Sequence, residues 1–201
     1  MYVPAHFKED DPARISAFIR DNAFGMLVTA PQGQPFVSHL PFLFEQGAET
    51  QGTLRGHMAR ANPHWQHLIP DAEVLVVFQG PHAYVSPSWY VSPGVPTWNY
   101  AVVHVRGKPR LIETESELEA LLARQTHVYE QHRPRPWKPE LAGERRTRLL
   151  GMIVGFEIEV TEIQAKFKLS QNRPEEDRLR VIAELNGSSH QTEVAVAKLM
   201  S

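Results

Sequence analysis

Residues 24–45 read FGMLVTAPQGQPFVSHLPFLFE, two apolar runs on either side of a short polar turn. The runs 24–30 and 35–45 carry apolar residues at both alternating sets of positions, which is typical of strands covered on both faces. The turn between them, Pro31-Gln32-Gly33-Gln34, has the residues that tight turns favour. A third apolar stretch, 53–58, follows closely. Strands joined by short turns pair in antiparallel order, so this region predicts an antiparallel sheet.

Upstream of this region, Asp10-Asp11-Pro12 predicts the start of a helix that ends near Asn22, because an aspartate followed by proline is a common helix cap. Downstream, the run 74–105 contains no Asp, Glu, Lys or Arg. Prolines interrupt every window long enough to span a bilayer, so a membrane helix is excluded. The run instead predicts strands at 73–78, 82–86 and 98–111, with a loop over 87–96 and a bulge or bend at Gly107.

The remaining sequence is mainly helical. Helices are predicted over 113–132, up to 150, over 178–185 and over 192–199, with a long strand at 152–168. The strands do not alternate with helices in the βαβ manner. The predicted fold class is therefore α+β, mainly β: a closed or split antiparallel β-barrel with peripheral helices.

Composition excludes several classes of protein. The chain has 201 residues, no cysteine and a formal net charge of -2. It therefore has neither a disulfide scaffold nor a thiol nucleophile, and it is not basic throughout like a histone-like coat protein. The N-terminus lacks the apolar core of a secretory signal, so the cytoplasm is the expected location.

The segment 55–63 is the first candidate site, since a strand ends there and a helix begins at Asn62-Pro63. Helix starts expose free N–H groups that suit phosphate. Arg60 would add a fixed pair of donors, and His57 and Asn62 would add hydrogen bonds. The alternative is a surface arginine beside an ordinary helix cap.

Two further candidate segments, 82–100 and 166–173, combine apolar side chains with polar or charged groups. Aromatic residues crowd the stretch 82–100, which suits a planar ligand or a subunit interface, or alternatively a packed core flap. In the stretch 166–173 lysines alternate with Phe167 and Leu169, which suits the wall of an anionic ligand site or a solvated strand end.

Three other hypotheses stay open at this point. His57, His64 and His67 could hold a metal, although no carboxylate lies near them in sequence. The basic segment 133–148, with Arg145, Arg146 and Arg148, could contact nucleic acid or form a solvated helix face. The last two helices resemble a helix-turn-helix in order, but they carry more acidic than basic residues.

Several blocks together resemble one family, the PaiB proteins, described as FMN-binding negative transcriptional regulators. The blocks are MYVPAHF at 1–7, GHMARANP at 56–63, GPHAYVSPSWY at 80–90, VPTWNY at 95–100 and KLSQNR at 168–173. They occur along nearly the whole chain. The resemblance implies a split β-barrel like that of pyridoxine-phosphate oxidases, working as a homodimer with flavin at the subunit interface.

The resemblance also implies roles for particular residues. Arg60 is similar to the arginine that holds the FMN phosphate, although Ala61 replaces the lysine usually found beside it. The other implied cofactor residues are Ser38 and His39 beside the flavin ring, His57, Asn62, a partner-subunit group of Trp98, Asn99 and Tyr100, and a closing segment with Lys168, Gln171 and Asn172.

The expected organisation is a barrel domain over 1–170, with a helical insertion at about 113–150, and a helical tail over 171–201 packed on the barrel or on a dimer partner. The expected function is an FMN-binding transcriptional regulator or flavin-linked sensor that binds duplex DNA through Arg145, Arg146 and Arg148. The alternatives are a flavin-dependent oxidoreductase and a relative that binds or degrades haem. No catalytic residue is assigned.

Overall fold

The computed structural model of the chain describes residues 1–47, 50–138 and 142–201. Its strands are β1 (Lys8–Glu9), β2 (Phe24–Thr29), β3 (Phe36–Pro41), β4 (Leu43–Glu45), β5 (Thr53–Ala59), β6 (Val74–Val85), β7 (Thr97–Ile112) and β8 (Ile153–Lys168). Its α-helices are α1 (Pro12–Asp21), α2 (Glu115–Glu130), α3 (Gly143–Gly151), α4 (Glu175–Asn186) and α5 (Gln191–Met200). Four short 3-10 helices cover Ala5–Phe7, Pro31–Gly33, Pro63–His67 and Pro87–Trp89.

The strands form one sheet in the order β3-β2-β6-β7-β8-β5-β4, with β1 added on β8. The ladders of β2 with β3, β2 with β6, β4 with β5, β5 with β8 and β1 with β8 are all antiparallel. The first hairpin has the predicted partners, since Leu27 lies opposite Ser38 across its turn. The prediction of a mainly antiparallel β fold is confirmed.

The described chain divides into two compact units. The first unit comprises Met1–Asn22, Phe78–His104 and Gln164–Ser201, and the second comprises Ala23–Val77 and Val105–Ile163. Each has buried apolar side chains of its own: Ile19, Phe78, Phe167, Val181 and Leu185 in the first, and Leu27, Leu54, Val76, Phe156 and Ile158 in the second.

Helix α1 of the first unit begins as predicted. Asp11 is its N-cap, and the Asp11 side chain accepts a hydrogen bond from the Ala13 N–H at 2.9 Å. Within the same unit, the Arg14 Nη2 donates to the carbonyl oxygen of Leu199 at 3.3 Å. This contact connects α1 to the end of α5.

Two strand predictions are wrong. The run 35–45 is not one strand but two, because it is interrupted at Phe42 and β3 pairs with β2 whereas β4 pairs with β5. The separate strands at 73–78 and 82–86 are a single strand, β6, that continues through Gly80-Pro81. Gly80 is needed here for packing and not for a turn, because a Cβ atom on it would lie 2.5 Å from the ring of Phe18. The expected helix from Asn62 is only the short 3-10 helix Pro63–His67.

The other predicted helices and strands lie within a few residues of their predicted bounds, and β1 was not predicted. Of the helices in the described ranges, none combines the length and apolar character needed to span a membrane.

Candidate functional site

A hydrogen-bonded polar cluster lies where β3 meets the 3-10 helix Pro63–His67 in the second unit. Asn62 is the N-cap of that helix, and its Oδ1 accepts from the His64 N–H at 3.1 Å. Its Nδ2 donates to the Ser38 Oγ at 3.0 Å, and the same Oγ lies 2.8 Å from the His64 Nδ1. The structure thus brings together two predicted cofactor residues, Ser38 and Asn62.

The cluster continues from His64 to β2. The His64 Nε2 lies 2.9 Å from the Thr29 Oγ1, which lies 3.0 Å from the His67 Nδ1. His64 is fully buried, and burial, together with repulsion from His67, lowers its pKa to about 4. His64 is therefore neutral near pH 7, with one ring nitrogen donating and the other accepting.

Arg60 lies at the end of β5, two residues before Asn62, and its side chain is held by main-chain oxygens. Nε donates to the carbonyl of Gly151 at 2.8 Å, and Nη2 donates to the carbonyl of Ile153 at 3.0 Å. No carboxylate of the described residues pairs with this guanidinium, whereas Arg106 pairs with Glu73 at 3.4 Å. The result is an exposed cation in a fixed orientation whose charge is not neutralised.

The other two predicted residues of the second unit point elsewhere. His39 neighbours Ser38 on β3, so it faces the opposite side of the strand, where its ring stacks on Phe24 with centroids 6.2 Å apart. His57 donates from Nδ1 to the Gln125 Oε1 at 2.7 Å. Across the ranges 1–47, 50–138 and 142–201, no group of three or more metal-ligating side chains is found.

The first unit contains a wall of aromatic side chains on β6 and β7. Trp98 is 53% exposed, and its ring centroid lies 6.0 Å from that of Tyr84 and 6.1 Å from that of His82. A cleft of about 330 Å³ is bounded by His82, Trp98, Tyr100 and Ala101. Its flat, largely apolar lining suits a planar group.

Two lysines of β8 lie near aromatic rings in the first unit. The buried Lys166 donates to the carbonyl of Tyr2 at 3.2 Å and lies 5.3 Å from the Tyr100 ring centroid. Lys168 donates to the Thr97 Oγ1 at 2.6 Å and to the Trp98 carbonyl at 2.5 Å. Burial, together with repulsion from Lys166 and Arg173, lowers the pKa of Lys168. Neither lysine forms an ion pair with a carboxylate in the described chain, so neither charge is neutralised.

Of the remaining predicted residues of the first unit, Asn99 and Gln171 form hydrogen bonds within the chain. Asn99 is buried and exchanges hydrogen bonds with the Ser170 hydroxyl at 2.9 and 3.2 Å. Gln171 accepts from the Leu169 N–H at 2.7 Å and donates to the Phe167 carbonyl at 2.5 Å. Asn172 lies exposed in the following turn.

The arginines of the basic segment 133–148 differ in their contacts. Arg145 and Arg148 are exposed on α3. Arg146 instead pairs with Glu119 and, at 3.4 Å, with Glu115, and the hydrogen bond to Arg146 holds the pKa of Glu119 below its usual value. Residues 139–141 of the segment lie outside the described residues. Of the three arginines predicted to contact nucleic acid, Arg145 and Arg148 therefore have no ion pair among the described residues, whereas Arg146 does.

Similarity to known sequences extends over the whole chain. The family described as "Putative FMN-binding domain" matches residues 1–162. The "Protease synthase and sporulation protein PAI 2" of Bacillus subtilis is 42% identical, over 100% of this chain and 96% of that protein. An uncharacterized Aspergillus fumigatus protein is 32% identical over 98% of this chain and 95% of its own length.

Solved structures show the fold. The flavocytochrome Anf3 from Azotobacter vinelandii matches with a TM-score of 0.64 at 15% identity, covering 89% of this chain and 78% of that one. An FAD and heme binding protein from Mycobacterium smegmatis matches with a TM-score of 0.60 at 12% identity, covering 86% and 78%. The predicted antiparallel split β-barrel with peripheral helices is confirmed.

Proposed function

The chain belongs to this family of FMN-binding domains, and from that premise we propose that it binds FMN and acts as a flavin-dependent negative regulator of transcription. Its similarity to a protein named for protease synthesis and sporulation supports a regulatory role. The observation that carries the flavin assignment is the exposed guanidinium of Arg60, fixed by two carbonyl oxygens and lacking a carboxylate partner in the described chain.

Arg60 fits the phosphate of FMN better than any neutral part of the ligand. Its Nε and Nη2 are occupied by the carbonyls of Gly151 and Ile153, which leaves Nη1 to donate outward. A phosphate dianion would neutralise the charge without displacing either carbonyl. Asn62, two residues further on, supplies a second polar side chain at the same end of β5.

We expect the substitution Arg60→Ala to weaken FMN binding about ten- to hundred-fold, because a charged hydrogen bond contributes roughly 1.5–3 kcal/mol. Quenching of flavin fluorescence measures the dissociation constant. Riboflavin lacks the phosphate, so its affinity should stay the same in this variant. Arg106→Ala, which removes an arginine already paired with Glu73, is the matched control.

An equal loss of FMN and riboflavin affinity in Arg60→Ala would show that the residue supports the fold and not the phosphate. An unchanged FMN affinity would remove Arg60 from the site.

The aromatic wall of the first unit is a separate candidate surface for the flat ring of the flavin, and it is tested by itself. Trp98→Ala should weaken FMN and riboflavin by the same factor, since both carry the same ring. Unchanged binding of both ligands would exclude Trp98 from the flavin site.

The regulatory role requires contact with DNA, which we assign to the exposed Arg145 and Arg148. Reversing both charges to glutamate should weaken binding to a duplex of mixed sequence and reduce its salt dependence by about two phosphate contacts. Arg146→Ala is the control, because that charge is already shared with Glu115 and Glu119. Equal DNA affinity for the wild type and the double variant, measured by fluorescence anisotropy, would refute direct binding through α3.

A further inference from the structure

Three exposed arginines that form no ion pair within the described ranges lie along helix α3. Arg145 and Arg148 belong to α3 itself and are three residues apart. Arg60 reaches the last residue of the same helix, because its Nε donates to the carbonyl oxygen of Gly151 at 2.8 Å. Gly151 follows Arg148 by three residues, so the guanidinium of Arg60 continues the series by about one more helical turn.

This basic row, consisting of Arg60, Arg145 and Arg148, has a spacing that suits a polyanion. A step of three residues advances about 4.5 Å along a helix axis, and duplex DNA carries a phosphate about every 3.4 Å along each strand. Glu144 is the only acidic residue of α3, and it lies at the opposite end of the helix from Gly151. The row therefore offers three positive charges to neighbouring phosphates.

FMN and DNA would both require the same part of Arg60. Its Nε and Nη2 are bonded to the carbonyls of Gly151 and Ile153, which leaves Nη1 to face an anion. If this group holds the FMN phosphate, it is lost to DNA. A phosphate monoester also carries about two negative charges near pH 7, so its binding would reverse the charge at this end of the basic row.

We propose that FMN and DNA are antagonists on the basic row, because an FMN phosphate on Arg60 removes one of three contacts to DNA and repels the DNA phosphates. Adjacent helical turns are about 5.4 Å apart, which is less than the Debye length of about 8 Å at physiological salt, so screening leaves much of this repulsion in place. The inference rests on the proposed function and adds its direction: the flavin-free protein is the form that binds DNA.

The test compares the affinity of the full chain for a duplex of mixed sequence without flavin, with saturating FMN and with saturating riboflavin. Anisotropy of a far-red dye on the DNA avoids interference from flavin absorption. FMN should raise the DNA dissociation constant about ten-fold, the effect of one charged contact. Riboflavin has no phosphate and should leave it unchanged. FMN, unlike riboflavin, should also lower the salt dependence of DNA binding by about one phosphate contact.

Variants locate the effect on the basic row. Arg60→Ala should raise the DNA dissociation constant about ten-fold by itself. FMN, added at a concentration that saturates the variant, should then weaken DNA binding much less than in the unsubstituted chain. Arg106→Ala is the matched control, since Arg106 already pairs with Glu73 at 3.4 Å, and it should keep the full effect of FMN.

The comparison of FMN with riboflavin uses the unsubstituted chain, so it stands even if Arg60→Ala does not fold. A protein that binds both FMN and DNA, but whose DNA affinity does not respond to FMN, would overturn the antagonism and leave the proposed function intact. An equal effect of riboflavin, or tighter DNA binding with FMN, would also overturn it. Failure to bind either FMN or DNA alone would refute the proposed function, and the antagonism with it.

Discussion

At the scale of single residues, His64 shows how a buried polar group is accommodated. Both of its ring nitrogens have hydroxyl partners, Ser38 on β3 and Thr29 on β2. A hydroxyl can donate to one neighbour and accept from another, so the chain of hydrogen bonds is complete while the imidazole is neutral. Protonation would place a charge in a fully buried position near His67, and this is why the pKa falls to about 4.

The stability of the protein should therefore depend on pH through His64. An unfolded histidine titrates near 6.5, whereas His64 in the native state titrates near 4. Between these values only the unfolded state takes up the proton, so the free energy of unfolding should fall as the pH drops from about 7 to 4. The loss reaches about 3 kcal/mol, and above pH 7 this residue contributes no slope.

Urea denaturation at a series of pH values measures this effect, with His64→Gln as the comparison. The variant should lose most of the slope between pH 7 and 4. An equal slope in both proteins would assign the acid sensitivity to other groups.

The sequence predicts only some of these residue contacts. Asn62 and Ser38 follow from the family resemblance, and the spacing of His64 and His67 places them on one helix face. Thr29 gives no such signal, because it lies 35 residues before His64 and reaches it only through the folded chain. For the same reason the sequence does not pair His57 with Gln125, which lies 68 residues further on.

At the scale of elements, β7 and β8 approach closely at Gly107 in the second unit. A Cβ atom on Gly107 would lie 2.3 Å from the carbonyl oxygen of Glu159 and 2.6 Å from a methyl carbon of Ile158. Both distances are shorter than any normal contact. Strand β7 runs unbroken through this position, so the glycine permits close approach.

Gly107→Ala should consequently destabilise the protein by about 1–3 kcal/mol, since the strands must separate to admit the methyl group. For a chain of this size the melting temperature should drop by roughly 3–10 °C. Gly151→Ala is the control, because nothing lies within 4 Å of its added Cβ. Calorimetry that finds the two variants equally stable would show that β7 and β8 adapt without cost.

Strand β6 shows where element prediction fails. Gly80-Pro81 is a strong turn signal in isolation, so the sequence predicts two strands there. In the folded first unit the missing Gly80 side chain makes room for the Phe18 ring. The partner ring is supplied by α1, far away in sequence, and no local pattern reveals it.

At the scale of the whole molecule, the fold class is predictable because it depends on strand length, turn residues and alternation along the chain. The division into two units is not, since β6, β7 and β8 each contribute residues to both units. The homodimer expected from the resemblance stays a prediction. Trp98 and Tyr84 are exposed aromatic side chains of the kind that interfaces cover.

If the aromatic wall lies in a dimer interface, Trp98→Ala should raise the dimer dissociation constant at least ten-fold, as central tryptophans often do. Sedimentation equilibrium measures this constant. Trp137→Ala, an equally exposed tryptophan of the second unit, should leave it unchanged. A wild-type protein that sediments as a monomer would contradict the homodimer.

The contacts of Arg60 bear on the proposed regulatory function. Its guanidinium bridges the last residue of α3, Gly151, and the first residue of β8, Ile153. An anion bound to the free Nη1 of this guanidinium would therefore lie next to the connection between β8 and α3, the helix that carries Arg145 and Arg148. Thermodynamic linkage requires that, if flavin occupancy changes DNA affinity by some factor, DNA changes flavin affinity by the same factor. The ratio of the flavin dissociation constants measured with and without saturating DNA would give this factor.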